Sequence, residues 1–198
     1  YNYNPSSPYS ASKASADQLV RSYGRTYGLK VLIANPCNNY GPNQFPEKFI
    51  PKMIFNILNK KPLPVYGKGK NIREWIYVKD NCDALLKIFL KGKIGENYNI
   101  GTGTRLKNIE IISKILSTAK KNNIVIGKKT KLQFVIDRPG HDERYALNSN
   151  KIKKKINWRN KTTIISGLSK TIDWYSKNLG YFKKISKSNI TKRLGLNI

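Results

Sequence analysis

Tyr9 and Lys13, near the start of the chain, have the residue types and the spacing that proton transfer requires. In a helix, residues four apart lie on one face with their Cβ atoms about 6 Å apart. A phenol with a pKa of about 10 is a poor base at neutral pH, but a nearby ammonium lowers that pKa because it favours the phenolate. The pair therefore predicts a base that removes a proton from a hydroxyl group. The pattern is short and the chain is rich in lysine, so an exposed tyrosine beside a solvated lysine remains the alternative.

A helix has to hold this pair, and the surrounding sequence predicts one. Residues 5–8, Pro-Ser-Ser-Pro, are typical of a turn, and residues 11–27 have the apolar spacing of a helix that ends at Gly28. Its apolar face is expected to consist largely of Ala14, Leu19, Val20 and Tyr23. Residues 30–34 follow as a short apolar strand, so helix and strand together make one unit of an α/β sheet.

The rest of the chain alternates between helical and strand patterns. The expected elements are a polar loop at 35–45, a helix at 47–60, a hairpin-like pair of strands at 65–66 and 72–78, a helix capped by Asp80 and ending at Lys91, a strand at 98–100, a helix from Asn108 to about residue 120, a strand at 132–136, and helices at 150–156 and 163–175. The helix after Asp80 is expected to bury Ala84, Leu85, Ile88 and Phe89. This order predicts an α/β protein.

Seven motifs, in one order from residue 5 onward, carry a family resemblance. They are Pro-Ser-Ser-Pro-Tyr-Ser-Ala-Ser-Lys at 5–13, Asn-Asn-Tyr-Gly-Pro at 38–42, Phe-Pro-Glu-Lys-Phe-Ile-Pro at 45–51, Pro-Val-Tyr-Gly-Lys-Gly at 64–69, Arg-Glu-Trp-Ile-Tyr-Val at 73–78, Tyr-Asn-Ile-Gly at 98–101 and Asp-Arg-Pro-Gly-His-Asp at 137–142. Together they resemble the extended short-chain dehydrogenase/reductases and, within that superfamily, the dTDP-glucose 4,6-dehydratases. The similarity runs to about residue 182.

The resemblance implies a division of the chain into three parts. Residues 1–45 would be the C-terminal part of a Rossmann-like NAD-binding domain, and residues 46–182 mainly a smaller α/β nucleotide-sugar-binding subdomain with short returns to the Rossmann sheet. Residues 183–198 would be a basic tail. The family's Gly-rich phosphate-binding turn and its Thr-Asp-Glu triplet, which supplies the acid and base for loss of water, do not occur in this sequence. The chain is therefore expected to be the C-terminal part of a longer enzyme and to be inactive alone.

The resemblance also implies a reaction, the NAD-dependent dehydration of dTDP-glucose to dTDP-4-keto-6-deoxyglucose. This is a hydro-lyase reaction in which NAD is regenerated in each cycle. Tyr9 would be the catalytic base, Lys13 would tune it, and NAD would be contacted by both and by Asn39. Substrate contacts are expected from Asn38, Lys48, Phe49, Pro64, Tyr66, Arg73, Asn108, Asp137, Arg138 and His141. The product would serve deoxysugar synthesis, for example of rhamnose for surface polysaccharide.

Each of these residues also has a structural alternative. Arg73 could pair with Glu74 or Glu47, Tyr66 could be strand packing, and the single histidine could be a loop residue. The reaction also has alternatives within the same fold, a nucleotide-sugar 4-epimerase or a UDP-glucuronate decarboxylase, although the patterns at 38–42 and 137–141 favour the dehydratase.

Charge raises an alternative from another class of protein. Lysine and arginine number 38 against 11 acidic residues, which gives a net charge of +27 and suggests a nucleic-acid-binding module. The lysines are scattered through every segment and no reader motif is present, so we expect a solvated basic surface instead.

Two cysteines without metal-ligand neighbours predict buried free thiols, no metal site and a cytoplasmic enzyme. No apolar run reaches the about 20 residues of a membrane helix. The resemblance also implies a homodimer for the longer enzyme, formed through the helix of Tyr9 and the helix before it.

Overall fold

The structure is a computed structural model that describes residues 4–137, 140 and 142–185. It is an α/β fold, as the sequence predicts. Its elements are α1 (Pro8–Tyr27), β1 (Ile33–Pro36), β2 (Asn38–Tyr40), α2 (Phe49–Leu58), β3 (Leu63–Tyr66), β4 (Ile72–Tyr77), α3 (Val78–Lys91), β5 (Asn97–Ile100), β6 (Arg105–Lys107), α4 (Asn108–Lys121), β7 (Leu132–Val135), β8 (Arg144–Tyr145), a π-helix (Ile152–Ile156), α5 (Ile164–Lys177) and α6 (Leu179–Lys183). The expected basic tail lies outside the described residues from 186 onward.

Within the described part of the chain, the strands form three small sheets. β1 pairs with β5, and β3 pairs with β7, both in parallel. β4 is central in the third sheet, where it pairs with β2 in parallel, with β6 antiparallel and with β8 in parallel. The predicted hairpin is therefore wrong, because β3 and β4 belong to different sheets. The last four residues of β4 are all buried, and a buried strand has to satisfy its backbone groups with neighbours that a local sequence window does not reveal.

A loop was expected at residues 35–45, but most of its first half lies in the two short strands β1 and β2. β1 continues to Pro36, and β2 follows immediately at residues 38–40. The asparagines at 38 and 39 made this stretch resemble a loop, but their backbone groups pair with β4. They therefore lie in the sheet, where their side chains have fixed directions.

The residues that the structure describes form two hydrophobic cores that hold these elements. The larger one is formed by α2, α4 and α5 together with β3 and β4, and the smaller one lies between β4, α3, β5 and the π-helix. In the smaller core α3 buries Ala84 and Ile88, but Leu85 and Phe89 are exposed, contrary to the prediction. The helical period correctly predicts which side of α3 faces the core. The apolar residues extend further around the helix than the described residues cover, so Leu85 and Phe89 are exposed. Cys82, on the same helix, is also exposed rather than buried.

Asp80 is not the N-cap of α3, because the helix begins two residues earlier, at Val78. Its buried carboxylate accepts hydrogen bonds from the Lys161 N–H (3.2 Å), the Thr162 N–H (2.8 Å) and the Thr162 hydroxyl (3.1 Å). A buried carboxylate needs such partners, and here they fix the segment that leads into α5.

α1 differs from the other long helices because none of its 20 residues is buried. It starts at Pro8, three residues earlier than predicted, and ends at Gly28, whose φ of 67° is the left-handed conformation that favours glycine. Leu19, Val20 and Tyr23 are exposed, so the predicted apolar face exists as a pattern but has no covering surface among the described residues.

Candidate active site

Tyr9 is the second residue of α1, and Lys13 lies one helical turn further along. The helix begins here because the fixed φ of Pro8 suits the first helical position and because the Ser7 side chain accepts a hydrogen bond from the Ser10 N–H at 3.2 Å. The Tyr9 side chain is 74% exposed, so its hydroxyl is accessible to a ligand. The helical spacing puts the Lys13 ammonium on the same face. This arrangement allows a phenol and an ammonium to act on one ligand.

Residues 142–147, which we call the connecting segment, lie between the start of α1 and the central strand β4. The Ser6 hydroxyl donates a hydrogen bond to Asp142 Oδ1 at 2.7 Å, and Arg73 Nη2 donates to the Asp142 carbonyl at 2.6 Å. The segment then forms β8, which runs parallel to β4 with Arg73 opposite Tyr145. The helix start that carries Tyr9 is thereby linked to the arginine that the sequence assigns to the substrate.

Tyr145 in this segment was not predicted as a site residue. The pKa of its phenol is raised, first by burial and then by the nearby groups Cys37, Tyr9, Asp142 and Asp17. Tyr145 therefore lies near Tyr9 and the start of α1. The available sequence signal was its position just after the motif at 137–142.

Asn38 and Asn39 lie in β2, opposite Trp75 and Ile76 of β4. Asn39 Nδ2 donates a hydrogen bond to the Cys37 carbonyl at 3.2 Å, whereas Asn39 Oδ1 is buried and accepts no hydrogen bond from the described residues. A buried acceptor without a donor is costly unless a water or a ligand supplies one. Asn39 therefore offers a place for an amide or hydroxyl donor, which fits the cofactor contact predicted for it.

Arg73 and Glu74 are neighbours in β4 and point to opposite faces of the strand. Glu74 is fully buried, and its carboxylate accepts hydrogen bonds from the Gly103 N–H at 2.6 Å and the Leu147 N–H at 3.1 Å. The Arg73 guanidinium lies on the side of the connecting segment, where Nη1 also donates to the Ile72 carbonyl at 2.8 Å. Glu74 was considered in the sequence only as a partner of Arg73. Its structural role is to join two loops through one buried carboxylate.

Lys48 and Phe49 lie at the start of α2. The Phe49 ring stacks on Trp75, with 5.8 Å between ring centroids, and Trp75 in turn is opposite Asn38 in the sheet. Lys48 is separate from this group in the described part of the chain, where its ammonium lies 3.4 Å from the Glu47 carboxylate. Phe49 and Asn38, two of the predicted substrate residues, are therefore both neighbours of Trp75. The Lys48 side chain extends into solvent beside them.

Pro64 and Tyr66 lie on the half-exposed face of β3, because the alternate residues Leu63 and Val65 are buried. Asp137 follows β7, the partner of β3, and its carboxylate is close to Gly67: a Cβ at that glycine would lie 3.1 Å from Asp137 Oδ2. The φ of Gly67 is 53°, in the left-handed region. The turn thus brings the end of β3 and Asp137 together.

Asn108 is the first residue of α4 and is buried. Its N–H donates to the Asn71 carbonyl at 3.0 Å, and the next N–H, of Ile109, donates to the Gly69 carbonyl at 3.1 Å. These bonds hold the start of α4 against the turn that precedes β4. Asn108 is therefore close to the strand that carries Arg73.

The predicted residues thus form neighbouring groups around β4 and β3, and Tyr9 is connected to them through Asp142. Arg138 and His141 lie outside the described residues. No group of three potential metal ligands occurs among the residues that the structure describes. Within the same residues, none of the helices combines the length and the hydropathy of a membrane span.

A family model described as GDP-mannose 4,6 dehydratase matches residues 1–171. The chain belongs to this family. Among curated relatives, dTDP-glucose 4,6-dehydratase from Escherichia coli is 47% identical over 186 residues, which are 92% of this chain and 51% of that protein. The chain thus spans about half the length of the curated relatives it matches. This similarity confirms the resemblance that the seven motifs predicted.

Solved structures agree on the fold. DesIV, a dTDP-glucose 4,6-dehydratase from Streptomyces venezuelae crystallised with NAD bound, is 40% identical with a TM-score of 0.84 over 91% of this chain and 54% of that chain. The dTDP-glucose 4,6-dehydratase from Bacillus anthracis in complex with NAD is 42% identical with a TM-score of 0.84, over 93% of this chain and 57% of that chain. The predicted Rossmann-like α/β class is therefore confirmed.

Proposed function

We propose that this chain is the Tyr-Lys helix and most of the sugar-nucleotide site of an NAD-dependent hydro-lyase that converts dTDP-glucose to dTDP-4-keto-6-deoxyglucose. The observation that carries the proposal is the link from the start of α1 through Asp142 to Arg73. It joins the start of the helix that carries the exposed Tyr9 to the segment that holds the Arg73 guanidinium, and a phenol and a guanidinium are groups that would act on a hydroxyl-bearing sugar diphosphate. The identity with relatives named dTDP-glucose 4,6-dehydratase supports the choice of substrate.

Tyr9 accepts the proton of the sugar 4-hydroxyl group in this proposal. The ammonium of Lys13, one turn away, stabilises the phenolate because opposite charges favour each other's charged form. NAD, when bound, supplies the acceptor for the hydride from carbon 4 and returns it to carbon 6. Asn39 Oδ1, buried and without a donor, would accept a hydrogen bond from the cofactor's amide group, and Lys13 would also hold the nicotinamide ribose.

Arg73 binds the diphosphate in this proposal, because a guanidinium pairs with phosphate oxygens through two parallel hydrogen bonds. Its bonds to the carbonyls of Ile72 and Asp142 orient it before the substrate arrives. Asn38 and Asn108 lie on either side of β4 and would add amide contacts. The remaining proposed contacts to the nucleotide and sugar are Lys48, Phe49, Pro64, Tyr66, Asp137, Arg138 and His141.

The acid and base for loss of water are proposed to come from a Thr-Asp-Glu triplet outside these 198 residues, which contain none. In this division residues 1–45 complete a Rossmann domain, residues 46–182 mainly bind the sugar nucleotide, and residues 183–198 form a tail. We further propose that the longer enzyme is a cytoplasmic homodimer.

The test uses the extended protein, meaning the polypeptide encoded when the reading frame is continued upstream of Tyr1. It is incubated with NAD and, in separate reactions, with dTDP-glucose, UDP-glucose or UDP-glucuronate. We expect the alkali-induced absorbance of a 4-keto-6-deoxy sugar from dTDP-glucose alone. A folded protein that binds NAD but forms a 4-epimer or releases carbon dioxide would contradict the dehydratase and identify the epimerase or the decarboxylase.

A further inference from the structure

Asp142 contacts two separate parts of the candidate site with two different groups. Its carboxylate accepts the hydrogen bond of the Ser6 hydroxyl at 2.7 Å, and its backbone carbonyl accepts hydrogen bonds from Arg73 Nη2 at 2.6 Å and Asn71 Nδ2 at 3.3 Å. We propose that Asp142 is a positioning residue, which holds the helix start of Tyr9 at a fixed distance from the diphosphate-binding Arg73. This inference rests on the proposed function of the site.

The connecting segment is a suitable fixed point because β4 holds it along its length. The Ile72 N–H donates to the Glu143 carbonyl at 2.8 Å, β8 pairs with β4, and the Leu147 N–H donates to the carboxylate of Glu74. Glu74 is fully buried and also holds Gly103. Asp142 therefore moves with the central strand of the sheet.

The described residues bury none of the 20 residues of α1, and a hydrogen bond from Ser6 joins the start of this helix to the connecting segment. Ser6 precedes Pro8, the first helical residue, and Tyr9 follows directly. The backbone of Ser6 also lies close to Gly140, two residues before Asp142, since a Cβ at Gly140 would be 3.3 Å from the Ser6 carbonyl. Displacement of a reacting group by about 1 Å can lower a rate by about 100-fold. Loss of the hydrogen bond between Ser6 and Asp142 should therefore lower the reaction rate by shifting the position of Tyr9.

The two contacts of Asp142 can be separated by mutation. Asp142→Ala and Ser6→Ala both remove the hydrogen bond to α1, but both leave the backbone carbonyl that holds Arg73. Asp142→Asn keeps a side-chain oxygen that can accept the Ser6 hydroxyl. Loss of the link should therefore lower kcat, while the KM for the sugar nucleotide, which depends on Arg73, should change little.

The first experiment measures keto-sugar formation by the extended protein. We expect Asp142→Ala and Ser6→Ala each to lower kcat by about tenfold, the double variant to be no worse than either, and Asp142→Asn to recover most of the rate. The matched controls are Asp173→Ala and Ser117→Ala, whose side chains make local contacts on α5 and α4. Additive losses, or a rise in KM with unchanged kcat, would overturn the positioning role.

The second experiment does not depend on turnover. Hydrogen exchange of the amides at residues 6–13 is measured in the extended protein with and without dTDP. We expect dTDP to slow this exchange in the wild type and in Asp142→Asn, and not in Asp142→Ala, although the latter still binds dTDP. Equal protection in Asp142→Ala would overturn the coupling alone. Absence of dTDP binding by the folded wild type would overturn the proposed function as well.

Discussion

α1, which carries Tyr9, and the helices α2, α4 and α5 are held by different kinds of contact among the described residues. α2, α4 and α5 pack around one core in which Ile50, Leu63, Ile111, Leu168 and Tyr175 are all fully buried. α1 has an apolar face of similar period but buries none of its residues, and polar contacts at Ser6 connect its start to the rest. Among the described residues, the proposed substrate residues at the start of α2 and α4 therefore adjoin a packed core. The start of the helix that carries the proposed base is joined to them by a hydrogen bond from Ser6.

The largest effect is expected from a substitution of Tyr9, the proposed base on α1. Tyr9→Phe removes the phenolate oxygen that accepts the proton, and general-base contributions are typically about 100- to 10,000-fold. We therefore expect kcat of the extended protein to fall within that range, with the KM for dTDP-glucose nearly unchanged. Tyr27→Phe, an exposed tyrosine on the same helix, is the matched control. Activity of Tyr9→Phe close to that of the control would exclude Tyr9 as the base.

Arg73 lies in the central strand β4. Its substitution should weaken the binding of the sugar nucleotide rather than lower kcat. A lysine retains the positive charge but cannot form two parallel hydrogen bonds with a diphosphate. For Arg73→Lys we expect the Kd for dTDP, measured by titration calorimetry, to rise about 10- to 100-fold, the equivalent of about 1.5–3 kcal/mol for charge-assisted hydrogen bonds. Arg25→Lys, at the end of α1, should leave the Kd unchanged. An unaltered Kd in Arg73→Lys would show that the diphosphate binds elsewhere.

Gly167 tests the packing of the larger core directly. A Cβ at this position would overlap the hydroxyl of Tyr40, which donates a hydrogen bond to the Ile164 carbonyl at 3.4 Å. Overpacking of this kind typically costs about 1–3 kcal/mol, so Gly167→Ala should lower the free energy of unfolding by that amount in urea titration. At Gly180 a Cβ would meet nothing within 4 Å, and Gly180→Ala should be neutral or slightly stabilising. Equal stability of both variants would contradict this packing.

The smallest expected effect concerns the two thiols. Burial, followed by the charge of Glu74, raises the pKa of Cys37 from its ordinary value of 9.0 to about 12, whereas Cys82 on α3 is exposed. A thiol reagent at pH 8 should therefore label one cysteine per chain, and none in Cys82→Ser until denaturant is added. Since the raised pKa favours the protonated thiol in the folded state, its contribution to stability is complete below pH 9 and is lost as the pH rises toward 12. Labelling of Cys37 in the folded Cys82→Ser protein would contradict its burial.

The sequence predicted the helices well because their apolar periods are regular, and it located the motif residues. It could not predict whether an apolar face is covered. α1 and α4 both have apolar residues at helical spacing, although the pattern is weaker in α1, and of these two faces only that of α4 is buried among the described residues. The sequence could not predict the strand partners either. β3 and β4 are separated only by a glycine-containing turn, but β3 pairs with β7 and β4 pairs with β2. Asp142 bonds to the side chains of Ser6 and Arg73, and Glu74 to the backbone of Gly103 and Leu147; all of these partners are distant in sequence, and no local pattern encodes such bonds.

The most direct test of the account follows a deuterium atom through the reaction. The extended protein is given dTDP-glucose that carries deuterium at carbon 4, together with unlabelled NAD, and the product is analysed by NMR. If the chain belongs to a dehydratase in which Tyr9 takes the 4-hydroxyl proton while hydride leaves carbon 4, the deuterium should appear at carbon 6 of a 4-keto-6-deoxy sugar. Deuterium retained at carbon 4 of an epimerised sugar, or no conversion by a folded protein that binds NAD, would contradict it.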